Sequence, residues 1–166
     1  MAFVRRENGN IVTVCPGFVA GMAEEEIADD HPDLLAFFSP PHSDADVDKE
    51  RDRRIEAGFV FDGVLYQSRQ EDRENIAGAQ KAATDAVALG AASGDYGWQR
   101  LLDPNAPTEF RWIAADNTTQ PMDAQTVMRF GYAALGHKQA HIFAARAIKD
   151  IIPIPADYAS NTAYWP

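Results

Sequence analysis

Residues 123–152 read DAQTVMRFGYAALGHKQAHIFAARAIKDII, and the way this stretch distributes its apolar residues decides the fold class. Pro121-Met122-Asp123 leads into it, and the pattern predicts one long helix from Asp123 to about Ile152. Val127, Phe130, Ala134, Ile142, Ala145, Ile148 and Ile152 fall together on one face at the helical repeat. Tyr132, Ala133, Gly136, Ala140, Phe143 and Ala147 face away from that stripe and are all small or aromatic. A surface helix needs one packing partner, whereas a helix apolar on both sides needs two. The second partner is another copy of the chain or a neighbouring protein, or else an internal segment such as the acidic front stretch or the tail after Pro153. Periodicity leaves these alternatives open.

Upstream of the helix, Phe110–Ala114 reads as a strand, Asp116-Asn117 as a turn and Leu101–Pro107 as a proline-rich connector. Asp62-Gly63, set between Phe59-Val60-Phe61 and Val64-Leu65-Tyr66, predicts a hairpin, because both turn residues tolerate positive φ. A charged helix is expected over Asp48–Ala57, stopped by Gly58. An alanine-rich one is expected from about Glu71 to Leu89, with Ile76, Ala79, Ala83, Ala86 and Val87 near one stripe. A further hairpin is predicted at the front, where Asn8-Gly9-Asn10 separates Phe3–Glu7 from Ile11–Val14. A lone hairpin is marginal in water, so it must pack on something. Residues 22–38 read as a short acidic helix or turn, then a piece capped by Asp30, opened by Pro32 and anchored by Leu34, Leu35, Phe37 and Phe38. Ser39-Pro40-Pro41-His42-Ser43 is a breaker, and the acidic run after it is expected to be a linker. The fold class is therefore α+β, with short hairpins packed on two or three helices including a long C-terminal one. Three parts are expected: 1–47, 48–152 and an extended aromatic tail, 153–166.

Composition narrows the function. A chain of 166 residues with 46% apolar residues suits one compact domain with perhaps a small one appended. The single Cys15 excludes an intrachain disulfide framework and any multi-cysteine metal site. No run approaches the roughly 18 apolar residues of a membrane span, and Met1–Glu7 has no apolar core of a secretory signal, so a cytoplasmic origin is expected. The formal charge of −10 is concentrated between Glu24 and Glu50, where ten acidic residues face one base, Lys49. Such a segment repels phosphate backbones and argues against nucleic-acid binding. It reads first as a solvated face and linker, second as a dock for a basic partner.

A search for chemistry yields little. His137 and His141 have the spacing of a metal-binding pair, but no glutamate follows His137 and Lys138 would repel a cation. Cys15 has no base near it in sequence, so a structural thiol is expected. The carboxylates of residues 24–50 are expected to be solvated with ordinary pKa values. Gly90, Gly94 and Gly97 lack the lysine and helix start of a phosphate loop. No catalytic, cofactor-binding or metal-binding residue is assigned. Tyr158, Tyr164 and Trp165, in a segment stiffened by Pro153 and Pro155, are large anchors with polar tips. They either cap the chain's own core or lie on a neighbour. The interface candidates are thus Tyr132, Gly136, Ala140, Phe143, Tyr158, Tyr164 and Trp165.

Arg54-Ile55, Gly58–Ser68, Ile76-Ala77-Gly78-Ala79, Phe110-Arg111-Trp112, Asp116-Asn117 and Ala144–Lys149, taken together, resemble an uncharacterised domain recurring in tailed-bacteriophage tail, tail-fibre and tail-fibre-assembly proteins. The resemblance covers roughly residues 48–152. It implies structural roles for these positions and no catalytic residues. It further implies a virion tail component (tip, baseplate or fibre), made in the host cytoplasm, contacting other tail proteins and homo-oligomeric, with a trimer favoured by analogy with fibres. The alternative it implies is a tail-fibre assembly chaperone absent from the mature virion. Neither nucleic acid nor a membrane is an expected partner.

Overall fold

Wherever the sequence sets Asn-Gly or Asp-Gly between apolar residues, the chain reverses. In the computed structural model, which describes residues 1–38 and 41–166, Asn8, Gly9, Asp62 and Gly63 all take positive φ, as a tight two-residue hairpin turn requires. Ser39 and Pro40, part of the expected breaker, lie outside the described residues. The architecture is α+β. The chain divides into two compact units, Met1–Ser43 with Pro153–Ala156, and Asp44–Ile152 with Asp157–Pro166.

In the first unit, β1 (Ala2–Glu7) and β2 (Asn10–Cys15) form the predicted hairpin, with a register shift between Arg5 and Arg6. A third strand, β3 (Glu25–Ile27), pairs antiparallel with β1, giving the order β2-β1-β3. The expectation of an acidic helix or turn there is corrected. Ile27 is opposite Ala2 and is buried with Val4 and Leu34, so the strand covers the hairpin's apolar face. Arg6 fastens the unit: its guanidinium donates to Glu25 at 2.9 Å and to Asp33 at 2.6 Å, joining β3 and α1 (Pro32–Phe38) to β1. Proline opens α1 as expected, but of its anticipated anchors only Leu34 is buried; Leu35, Phe37 and Phe38 are exposed.

The second unit holds α2 (Asp44–Glu56), the hairpin β4 (Phe59–Phe61) and β5 (Val64–Tyr66), α3 (Gln70–Ala88), the hairpin β6 (Arg111–Ile113) and β7 (Thr119–Pro121), and α4 (Ala124–Lys149). The acidic run Asp44-Ala45-Asp46 is the first turn of α2, not a linker. Carboxylates there meet the positive end of the helix dipole. Gly58 ends this helix at φ +108°, and a Cβ there would lie 2.5 Å from the Tyr66 carbonyl oxygen, so only glycine fits between α2 and the hairpin. Alternation in the hairpin buries Phe59, Phe61 and Tyr66 and exposes Val60 and Leu65.

These rings converge on Phe130 of α4, which is wholly buried. Its ring centroid lies 5.2 Å from Phe59, 5.4 Å from Phe61, 4.7 Å from Tyr66 and 5.3 Å from Trp112. Asp123 starts α4 by accepting from the Thr126 amide at 2.7 Å and holds the preceding loop by accepting from the Gly94 amide at 2.7 Å. Burial raises this carboxyl's pKa, but these hydrogen bonds outweigh it and leave it below the ordinary range. Along α4 the buried stripe is Val127, Phe130, Ala134, His141, Ala145 and Ile148. Ile142 and Ile152, assigned to that stripe from sequence, are exposed. His141 holds the buried position instead, and Ile152 lies beyond the helix end.

α3 packs against α4 where Gly131 leaves room. The Gln80 side chain lies over this glycine and donates to the Met128 carbonyl at 3.3 Å, and a Cβ at Gly131 would come within 2.5 Å of its amide group and 2.8 Å of its Cβ. Gly131→Ala is therefore expected to destabilise the chain by about 1–3 kcal/mol through overpacking, although alanine is the better helix former. Gln80→Ala in the same chain removes the amide but keeps the Cβ that would lie 2.8 Å away, so it is expected to restore only part of the loss. Equilibrium denaturant unfolding of the parent and the two variants measures both effects, and a Gly131→Ala chain as stable as the parent contradicts the packing argument.

Candidate functional site

The carboxylates that sequence reading treats as solvated are organised by the helix that carries them. Glu50 accepts from Arg53 at 2.7 Å and from Arg54 at 2.7 Å, one turn further along α2. Asp48 accepts from Lys149 of α4 at 2.6 Å and also pairs with Arg51. The hydrogen bond from Lys149 holds Asp48 below the ordinary carboxylate range, and those from Arg53 and Arg54 do the same for Glu50 against the opposing effect of burial. The expectation of ordinary pKa values is corrected for these two residues. Their role is to tie α2 to itself and to α4.

His137 and His141 meet ring against ring, with centroids 4.5 Å apart. Each ring is oriented by a carbonyl oxygen: His137 Nε2–H donates to Ile55 at 3.3 Å, and His141 Nδ1–H donates to His137 at 2.9 Å. Among the described residues no group of three or more histidine, cysteine or acidic side chains is placed to hold a metal ion. Instead the pair is set among rings, His137 beside Phe59 at 6.0 Å and His141 stacked on Trp165 at 6.2 Å.

Trp165 explains the tail. It is buried, its indole N–H donates to the Tyr158 carbonyl at 2.7 Å, and the Arg54 guanidinium lies 4.7 Å from the ring centroid. Arg54 also donates to the Ala159 carbonyl at 2.9 Å. Residues 157–166 thus fold back in turns, with a 3-10 segment at Thr162–Tyr164, where an extended course was expected. Tyr158 and Trp165 are buried within their own unit, and Tyr164 is half-buried. Sequence reading named Arg54 only within the resemblance motif and on a charged helix, and did not foresee its contact with the tail.

The remaining interface candidates lie together on the solvent side of α4. Tyr132 is 63% exposed and Phe143 64%, with Gly136, Ala140 and Ala147 exposed between and beyond them. Leu135, 59% exposed beside Tyr132, belongs to the same surface and was not among the candidates. Arg129, 3.6 Å from Asp62, and Asp150, 3.3 Å from Arg146, sit at its two ends in exposed ion pairs. A separate cleft of about 250 Å³ between α3 and α4 has Ile76 and Leu135 as apolar lining and Arg73, Gln80 and Lys138 as polar lining. Among the described residues no helix is long and apolar enough to cross a membrane.

The second unit is therefore a three-helix domain with two aromatic hairpins, closed by a folded-back C-terminal segment. A family model described as a domain of unknown function, DUF4376, matches residues 42–164, and the chain belongs to that family. The match starts two residues before α2 and takes in Tyr158 and Tyr164, so it is wider than the 48–152 span read from sequence. No curated protein and no solved structure matches the chain.

Two outcomes are expected of this cluster. Trp165→Ala should cost about 3–5 kcal/mol in chemical unfolding, the range for emptying a large buried aromatic site, and wild-type stability in that variant contradicts the clasp. Burial first, and then the neighbouring His141, holds His137 below the ordinary histidine value of 6.5. The unfolded chain therefore binds the proton more readily, and stability is expected to fall as pH drops from about 7 to 5. The lowered carboxyls of Asp48 and Glu50 add a further loss only at more acid pH, as their own range is reached. In His137→Asn the slope between pH 7 and 5 is expected to flatten, and an unchanged slope assigns it to other groups.

Proposed function

We propose that the chain is a structural component of a bacteriophage tail (tip, baseplate or fibre) that acts by being built into an assembly through protein–protein contacts. On this reading it is homo-oligomeric, touches other tail proteins, and is made and assembled in the host cytoplasm before residing in the virion. The observation that carries it is the solvent face of α4. A domain that buries one side of its longest helix around Phe130 and leaves aromatic residues exposed along the other offers more apolar surface than its own core uses. The resemblance of the Gly58–Ser68 and Phe110–Asn117 motifs to phage-tail domains supports the same reading. Membership of a family of unknown function is compatible with it.

Quantitative mass spectrometry of washed virions, from a phage encoding this chain, tests the proposal. The chain is expected in fixed ratio to known tail proteins. Absence from washed particles, together with defective fibres when the gene is deleted, makes it the assembly chaperone instead. Normal particles without the chain end both readings.

A further inference from the structure

The exposed face of α4 is complementary to itself when reversed. Take a second α4 antiparallel to the first, with a two-fold axis passing between Gln139 and Ala140. Phe143 of each copy then stands opposite Gly136 of the other, and Tyr132 opposite Ala147. Each of the two large exposed rings meets a glycine or an alanine, which lets the helix backbones approach. One turn beyond the rings at either end, Arg129 of one copy stands opposite Asp150 of the other. All six positions lie on the side of the helix facing away from Val127, Ala134, His141 and Ala145. The pattern spans about 30 Å of helix.

We propose that this face is the contact between two copies of the chain, an isologous antiparallel α4–α4 pair that makes a two-fold dimer. Charge complementarity selects the occupant: a helix of uniform charge would leave one end of the face opposed by like charge, whereas the reversed copy pairs both ends. The ion pairs of Arg129 with Asp62 and of Asp150 with Arg146 are exposed, and such pairs exchange partners readily. Rungs over this length require the shallow helix crossing of about 20°. One such crossing is at the small end of specific interfaces, so half-association at micromolar concentration is expected. An isologous contact pairs copies in twos, in place of the trimer that the likeness to fibres implies. The inference deepens the assembly reading and fails separately from it: a chain found in virions but monomeric in solution removes the two-fold contact and leaves the tail proposal standing.

Sedimentation equilibrium of the full chain across micromolar concentrations is the test. Gly136→Leu fills the recess opposite Phe143; a Cβ at Gly136 meets nothing within 4 Å in the chain itself, so the fold is retained, which a thermal melt checks. This variant is expected to weaken association by about tenfold or more. Arg129→Asp and Asp150→Arg, each alone, place like charges at both ends of the pair and are each expected to weaken it several-fold. Mixing those two variants restores opposite charges at both ends, so the mixture is expected to associate as well as the parent or better. A parent chain that stays monomeric, a trimer indifferent to these substitutions, or a mixture no stronger than its components overturns the proposal.

Discussion

The second unit depends on Phe130. Its ring receives Phe59, Phe61 and Tyr66 from one hairpin and Trp112 from the other, so two short two-stranded sheets, each marginal alone, become one core with α4. The centroid distances are those at which aromatic pairs add edge-to-face attraction to the burial of their area. Tight turns at Asp62-Gly63 and Asn117 aim the rings, and Gly58 lets α2 stop where the first hairpin begins. α4 is fixed along its axis by the Asp123 cap and in rotation by Phe130, which determines what the opposite side of the helix presents to solvent.

Local rules made much of this legible. The Asn-Gly and Asp-Gly turns, the glycine stop at Gly58 and the start of the long helix at Asp123 are properties of a few neighbouring residues, and all three occur where the sequence places them. What was not legible is set by distant partners. Glu25–Ile27 is acidic and carries no strand signal of its own; it becomes a strand because β1 offers an open edge and Arg6 offers a cation. Ile142 looked more at home in the core than His141, yet the helical phase set by Phe130 and Ala145 gives the buried place to the histidine, and Trp165 supplies the ring that accommodates it. For the candidate surface, Tyr132, Gly136, Ala140 and Phe143 could be read because one helix presents them at a fixed repeat. Tyr158 and Trp165 could not be placed, since nothing near them in sequence reveals Arg54.

The acidic front of the sequence acquires a different meaning once folded. Several of its carboxylates are matched one by one: Glu25 and Asp33 on Arg6, Glu50 on Arg53 and Arg54, Asp48 on Lys149. They organise strands and helices in their respective units, so the charge run is partly a set of internal fastenings. The apolar side chains on the outer face of α4 have no such internal matches, and that contrast directs the functional reading to the helix.

The placement of the indoles has a practical corollary. All three tryptophans, Trp98, Trp112 and Trp165, belong to the second unit, whereas the single cysteine, Cys15, belongs to the first. Intrinsic emission from the chain therefore reports on one unit and a dye linked to the Cys15 thiol on the other, with no amino-acid substitution needed. The melting of each part can be followed by its own colour in one cuvette, and whether the halves come apart together becomes a matter of overlaying two curves.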